Sequence, residues 1–121
     1  MEMTLYHYRA KVTAVYDGDT CTLDIDLGLG IIARGEKVRL YRINAPEIRG
    51  PERPQSLVAR DFLRGKIKNK TVLVQTVKGK ARDMKGKYGR YLADIWLEED
   101  GSWVNINDLL VQQGHAEYKE Y

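Results

Sequence analysis

Apolar and polar residues alternate along the first third of the chain, and the alternation predicts paired strands. Val12, Ala14 and Tyr16 fall on one face of a strand over residues 8–16 at period two. Asp17-Gly18 supplies a tight turn, and residues 20–27 resume the pattern with Cys21, Leu23, Ile25 and Leu27 against polar neighbours, so the two runs read as a hairpin. Gly28 and Gly30 bracket a second turn into a long strand, IIARGEKVRLYRI, bent or bulged near Gly35. Pro46, Pro51 and Pro54 restrict the loop that follows, after which the period lengthens. Ala59, Leu63 and Ile67, with Val58 and Phe62 alongside, make an apolar stripe on a basic helix running from about Pro54 to Lys68 and weakened by Gly65. Strands are predicted again over 71–77 and 90–99, separated by the basic loop KGKARDMKGKYG. A turn at Asp100-Gly101 leads to Asn105 and Asp108, a capping pair for a helix over INDLLVQQ, and Gly114 stands where a helix C-terminal glycine belongs.

Three strands, a helix, two strands and a helix make a mainly β, α+β chain, and this is the element order of a five-stranded OB-type β-barrel packed with two helices. A five-stranded sheet of another topology has the same string, and neither fold by itself fixes a function. With 121 residues, 43% of them apolar, the chain is read as one domain over 1–121. The charged fraction of 31% and the lack of an apolar run of eighteen exclude the disordered and membrane-spanning classes. The first residues show no basic segment followed by an apolar stretch, so the expectation is a cytoplasmic protein unless a leader has been removed. One cysteine, Cys21, excludes an internal disulfide framework and an all-cysteine metal cage; its place beside Leu23 and Ile25 favours a buried inert thiol over a nucleophile.

Charge changes the picture once it is divided by position. Residues 34–90 hold 17 Lys/Arg against 5 Asp/Glu, whereas the remainder holds 3 against 12. Clustered cations attract polyanions and release counterions on binding, so nucleic acid is the expected partner; the alternative is a solvated surface neutralised by the chain ends.

Four segments carry candidate chemistry: DGDT at 17–20, VRLYRINAPE at 38–47, YGR at 88–90 and VNINDLLVQQGHA at 104–116. In this order and spacing they resemble the staphylococcal nuclease (thermonuclease-like) family, over nearly the whole chain from Tyr8 to Ala116. The resemblance implies an OB-type barrel, one calcium ion and hydrolysis of phosphodiesters in DNA or RNA, with 3′-phosphate products. By that resemblance Asp19 is a carboxylate ligand for calcium, whose preference is for carboxylate and carbonyl oxygens. Asp17 is a turn residue or an outer partner of the metal's water. Arg39 contacts the scissile phosphate, for which guanidinium is a planar, permanently charged, bidentate donor. Glu47 matches the general base or positioner of the attacking water, and Arg90 the second arginine that stabilises the transition state.

The sequence departs from the family's best-known pattern at two neighbouring positions. Asn44 stands where a second aspartate ligand is frequent, and Ala45 stands for a threonine that contributes its backbone carbonyl. Loss of one formal charge implies weaker calcium affinity or a broader metal preference. Lys87, Tyr88, Tyr118 and Tyr121 are candidate substrate contacts: Lys87 to phosphate, Tyr88 to a terminal phosphate or as a cover of the pocket, and Tyr118 and Tyr121 as platforms for bases. The expected partner is single-stranded DNA or RNA, with a monomeric protein and no membrane. The competing reading is an OB-fold module that binds single strands without cutting them; the presence of Asp19, Arg39, Glu47 and Arg90 together favours the enzyme.

Overall fold

The computed structural model describes residues 6–77 and 90–119. Strand β1 (His7–Asp17) pairs antiparallel with β2 (Thr20–Gly28), and β2 with β3 (Ile31–Leu40). The other edge of β1 takes β5 (Thr71–Val77), which pairs with β6 (Tyr91–Glu99). Closure comes from a short parallel seam in which Val38, Arg39 and Leu40 of β3 meet Tyr91, Leu92 and Ala93 of β6. These five strands form a closed barrel of OB type, and helices α1 (Arg53–Ile67) and α2 (Ile106–Gln112) pack on it. Strand β7 (Ser102–Asn105) extends β6 as a hairpin, and β4 (Ile43–Asn44) pairs with β8 (Glu117–Tyr118) in a separate small ladder.

Side-chain alternation fills the barrel, with Leu23, Val38, Leu40, Val72, Val74 and Ile95 all essentially inaccessible to solvent. In β1 the alternation does not run in a single phase. The register of β1 on β2 shifts between Val12 and Ala14, leaving Thr13 as an extra residue, and shifts again between Val15 and Asp17. An extra residue turns the side chains that follow it to the opposite face. Val12 therefore enters the core, but Val15 and Asp17 do so in place of the expected Ala14 and Tyr16, which face outward. The bend near Gly35 is present: Leu23 pairs with Glu36 but Ile25 with Ala33, and the Gly35 N–H donates to Asp24 Oδ1 at 2.9 Å. Beyond this bend the β2–β3 hairpin outruns the barrel, so Leu27, expected to be inward, is exposed together with Leu29, Ile31 and Ile32.

Helix α1 begins with Pro54 in its first turn, where a missing N–H costs no intrahelical bond, and its last turn carries Arg64 and Lys66, favourable at the negative end of the helix dipole. Ala59, Leu63 and Ile67 are buried as the stripe predicts, joined by Ser56, while Val58 lies outside the stripe and is exposed. Helix α2 is capped as expected, the Asn105 side chain accepting from the Asp108 N–H at 2.9 Å. Fully buried Asn107 then fastens α2 across the barrel seam. Its amide nitrogen donates to the carbonyls of Tyr41 and Ala93, and its oxygen accepts from the Ile95 N–H. All three bonds satisfy groups that burial would otherwise leave unpaired.

Candidate active site

The turn between β1 and β2 presents two carboxylates side by side. Asp17 Oδ1 accepts from the Asp19 N–H at 3.0 Å, an Asx turn that fixes the loop from within. Gly18 between them is required by crowding: a Cβ there would lie 2.7 Å from the Ala59 Cβ of α1 and 2.9 Å from the Ala45 Cβ. The small residues on all three segments allow α1 and the loop after β4 to press directly on the turn. Asp17 and Asp19 are both buried, and burial together with the negative charge of Asp19 pushes the Asp17 carboxyl up to about 7.

Asp19 is the hub of the polar contacts. Its Oδ2 accepts from the Ala45 N–H at 2.9 Å and lies 3.3 Å from the Arg39 guanidinium, and its Oδ1 accepts from the Thr20 hydroxyl at 3.2 Å. Arg39 in turn donates to the Leu40 and Ile43 carbonyls and to Asn44 Oδ1, the last at 2.9 Å. A guanidinium with this many acceptors has little rotational freedom, so its charge is aimed before any ligand arrives. Arg90 approaches from the far side of the seam and donates to the Thr20 hydroxyl at 3.3 Å. The β3–β6 pairing explains the meeting: Arg39 lies within the seam and Arg90 immediately precedes its first β6 residue.

These groups line one cavity of about 800 Å³. Its wall contains the carboxylates of Asp17, Asp19 and Glu47 and the cations of Lys37, Arg39, Arg49 and Arg90. Glu47 is exposed and makes no hydrogen bond or ion pair with another described residue, so its carboxylate is open to a ligand or water. Acidic and basic groups thus share one concave surface, which suits a ligand that is itself an anion and is accompanied by a cation.

Of the site residues expected from the sequence, Asp19, Arg39, Ala45, Glu47 and Arg90 all border this cavity. Asn44 borders a smaller hollow of about 170 Å³ behind the wall, which Ala45 also borders, and touches the main site through Arg39. Tyr118 does not border the cavity; its hydroxyl donates to Asp108 at 2.9 Å, next to the Arg42 pairs with Asp94 and Asp108. Lys87, Tyr88 and Tyr121 lie outside the described residues. Thr20, Lys37, Arg49 and Tyr16 border the cavity without having been singled out for it. Lys37 was accessible to sequence reasoning, since it precedes Arg39 by two on the same strand and so shares its face.

Among the described residues no group of three or more His, Cys, Asp or Glu is arranged to hold a metal ion. The donors present are nevertheless hard oxygens. Two adjacent buried carboxylates, one of them held partly protonated near neutrality by burial and by the charge of the other, are relieved by a divalent cation, with the Asn44 amide and Ala45 carbonyl as neutral oxygens nearby. The set fits a hard cation that keeps several of its waters. Cys21, buried close by with its thiol pushed up to about 12 by burial, remains protonated and offers no thiolate.

Comparison with known proteins gives the family. A family model described as staphylococcal nuclease homologue matches residues 37–121. An uncharacterized protein of Methanocaldococcus jannaschii is 30% identical over 129 residues, an alignment covering 91% of this chain and 58% of that protein. Thermonucleases of Staphylococcus intermedius and Staphylococcus hyicus are 32% and 30% identical, covering 91% and 92% of this chain and 59% of each relative. The chain therefore spans somewhat under three fifths of the length of these relatives.

Proposed function

The chain belongs to the staphylococcal nuclease family, and from that membership we propose that it is a calcium-dependent phosphodiesterase that hydrolyses DNA or RNA, with single strands as its preferred substrate. The observation that carries the reading is the meeting, in one cavity, of Asp19, Arg39, Glu47 and Arg90, drawn from the β1–β2 turn, β3, the proline-bounded loop and the residue just ahead of β6. Asp19, aided by Asp17 and by the oxygens of Asn44 and Ala45, would hold the cation. Such an ion, when bound, neutralises phosphoryl charge and acidifies water.

The chain's own groups do the rest. Arg39 and Arg90 place two permanent positive charges around the phosphate and compensate the charge that builds on its oxygens as the fifth bond forms. The open Glu47 carboxylate orients a water opposite the departing oxygen and takes its proton. The water oxygen bonds to phosphorus as the P–O5′ bond breaks, and the departing 5′-oxygen takes up a proton from solvent, leaving a 3′-phosphate and a 5′-hydroxyl. Arg39, tied to Asp19 and Asn44, keeps its orientation throughout, so little reorganisation accompanies the reaction.

Incubation with single-stranded DNA and RNA in calcium, and then in chelator, tests this. Cleavage is expected only with calcium and is expected to fall by about 10²- to 10³-fold in Glu47→Ala and in Arg90→Ala. Salt-sensitive retention of the strand without any cleavage in calcium would make the protein a binding module and overturn the enzymatic reading.

A further inference from the structure

We propose that Tyr16 is a stacking platform for one nucleobase of the bound strand, a subsite on the β1 side of the cavity. The inference rests on the reading of the cavity as a phosphodiester site and deepens it by naming where a base sits. Period-two patterning alone would bury Tyr16 with Val12. The extra residue at Thr13 reverses the phase, so that Val15 points inward, and at the second register shift, between Val15 and Asp17, Tyr16 is itself the extra residue and turns out to the cavity mouth, 55% exposed. Bulges are a recurrent means of re-aiming a side chain beside a functional site.

Three further observations make this ring a platform. Tyr16 is the one aromatic residue among the described residues that border the cavity. It makes no side-chain hydrogen bond and no ring contact with another described residue, so both its face and its hydroxyl are available. It also directly precedes Asp17 in the chain, and both residues border the same cavity. A large apolar ring left exposed on the same cavity as Lys37, Arg39 and Arg90 meets the two needs of single-strand binding: cations for the backbone and a π face for the base. Because every base has such a face, the subsite accepts purines and pyrimidines alike. Tyr118, whose hydroxyl is committed to Asp108 away from this cavity, cannot serve there.

The test measures binding in chelator, so that cleavage does not intervene. The probes are a short oligothymidylate and an oligomer of the same length built entirely from abasic sites, which keeps the phosphates and removes the rings. Wild type and Tyr16→Phe are expected to bind oligothymidylate equally. Tyr16→Ala and Tyr16→Leu are expected to bind it about tenfold more weakly while matching wild type on the abasic oligomer. Tyr16→Leu keeps the bulk and apolar surface of the position, so it also separates stacking from simple burial. Equal affinity of all four proteins for oligothymidylate overturns the proposal, as does a loss in Tyr16→Leu that is the same on both oligomers. Wild type that binds neither oligomer overturns the reading of the cavity itself and the platform with it.

Discussion

Asp17 ties the protonation of the cavity to the stability of the fold. Its carboxyl has an ordinary value of 3.8 and titrates near 7 in the folded chain, because burial and the Asp19 charge favour the neutral form. The folded state then holds the proton more tightly than the unfolded chain. The corresponding stabilisation is complete below about 4 and is lost as pH rises through about 7. Thermal unfolding in chelator between pH 4 and 8 should show wild type losing stability relative to Asp17→Asn, which stays neutral throughout; parallel curves would exclude this assignment. Asn44 makes the complementary point. Asn44→Asp restores a formal charge beside Arg39 and Asp19, so the calcium concentration for half-maximal cleavage should fall. An unchanged or raised requirement would show that Asn44 lies too far behind the cavity wall to matter.

At the scale of elements, the contact of the carboxylate turn with α1 is the tightest constraint. In Gly18→Ala the added methyl would meet the Cβ atoms of Ala59 and Ala45, neither of which belongs to a flexible side chain that could yield. The expected cost is about 1–3 kcal/mol in denaturant unfolding, and Ala59→Gly in the same chain should recover part of it through coupling of the two positions. The elements themselves were largely legible, because β1, β2, β5, β6 and both helices carry strong periodicity or caps of their own. What periodicity missed is instructive. The register shifts at Thr13 and Tyr16 leave no compositional mark, so alternation alone places Ala14 and Tyr16 on the wrong face. Leu27 continues a perfect alternation past the end of the barrel, where there is no core to receive it. The two-residue strands β4 and β8 exist only because their partners meet in space, as in the pairing of Ile43 with Tyr118, and no local signal announces them.

For the molecule as a whole, charge division pointed to a polyanion, and the folded chain concentrates four cations on one cavity. If those four contact phosphates of a single strand, the logarithm of affinity should fall with the logarithm of salt at a slope of about −3, or roughly 50-fold between 50 and 200 mM. A slope near zero, measured in chelator, would mean that the cations serve the fold instead. The convergence of Asp19, Arg39, Glu47 and Arg90 could not be read from alternation, since it depends on which strand edges close the barrel. Only the joint occurrence of four short motifs carried that information along the chain. Candidate contacts outside those motifs fared differently, as the distance of Tyr118 from the cavity shows.

The β3–β6 seam also sets the order of events at birth. By the time residue 77 has been made, Asp17, Asp19, Arg39 and Glu47 exist, yet the strand that closes the cylinder, and the arginine just ahead of it, have still to be synthesised. On the proposed activity, a chain stopped at residue 77 would hold the carboxylates and one arginine but neither the second arginine nor the seam that brings them together, so competence to cleave arrives only with the closing strand.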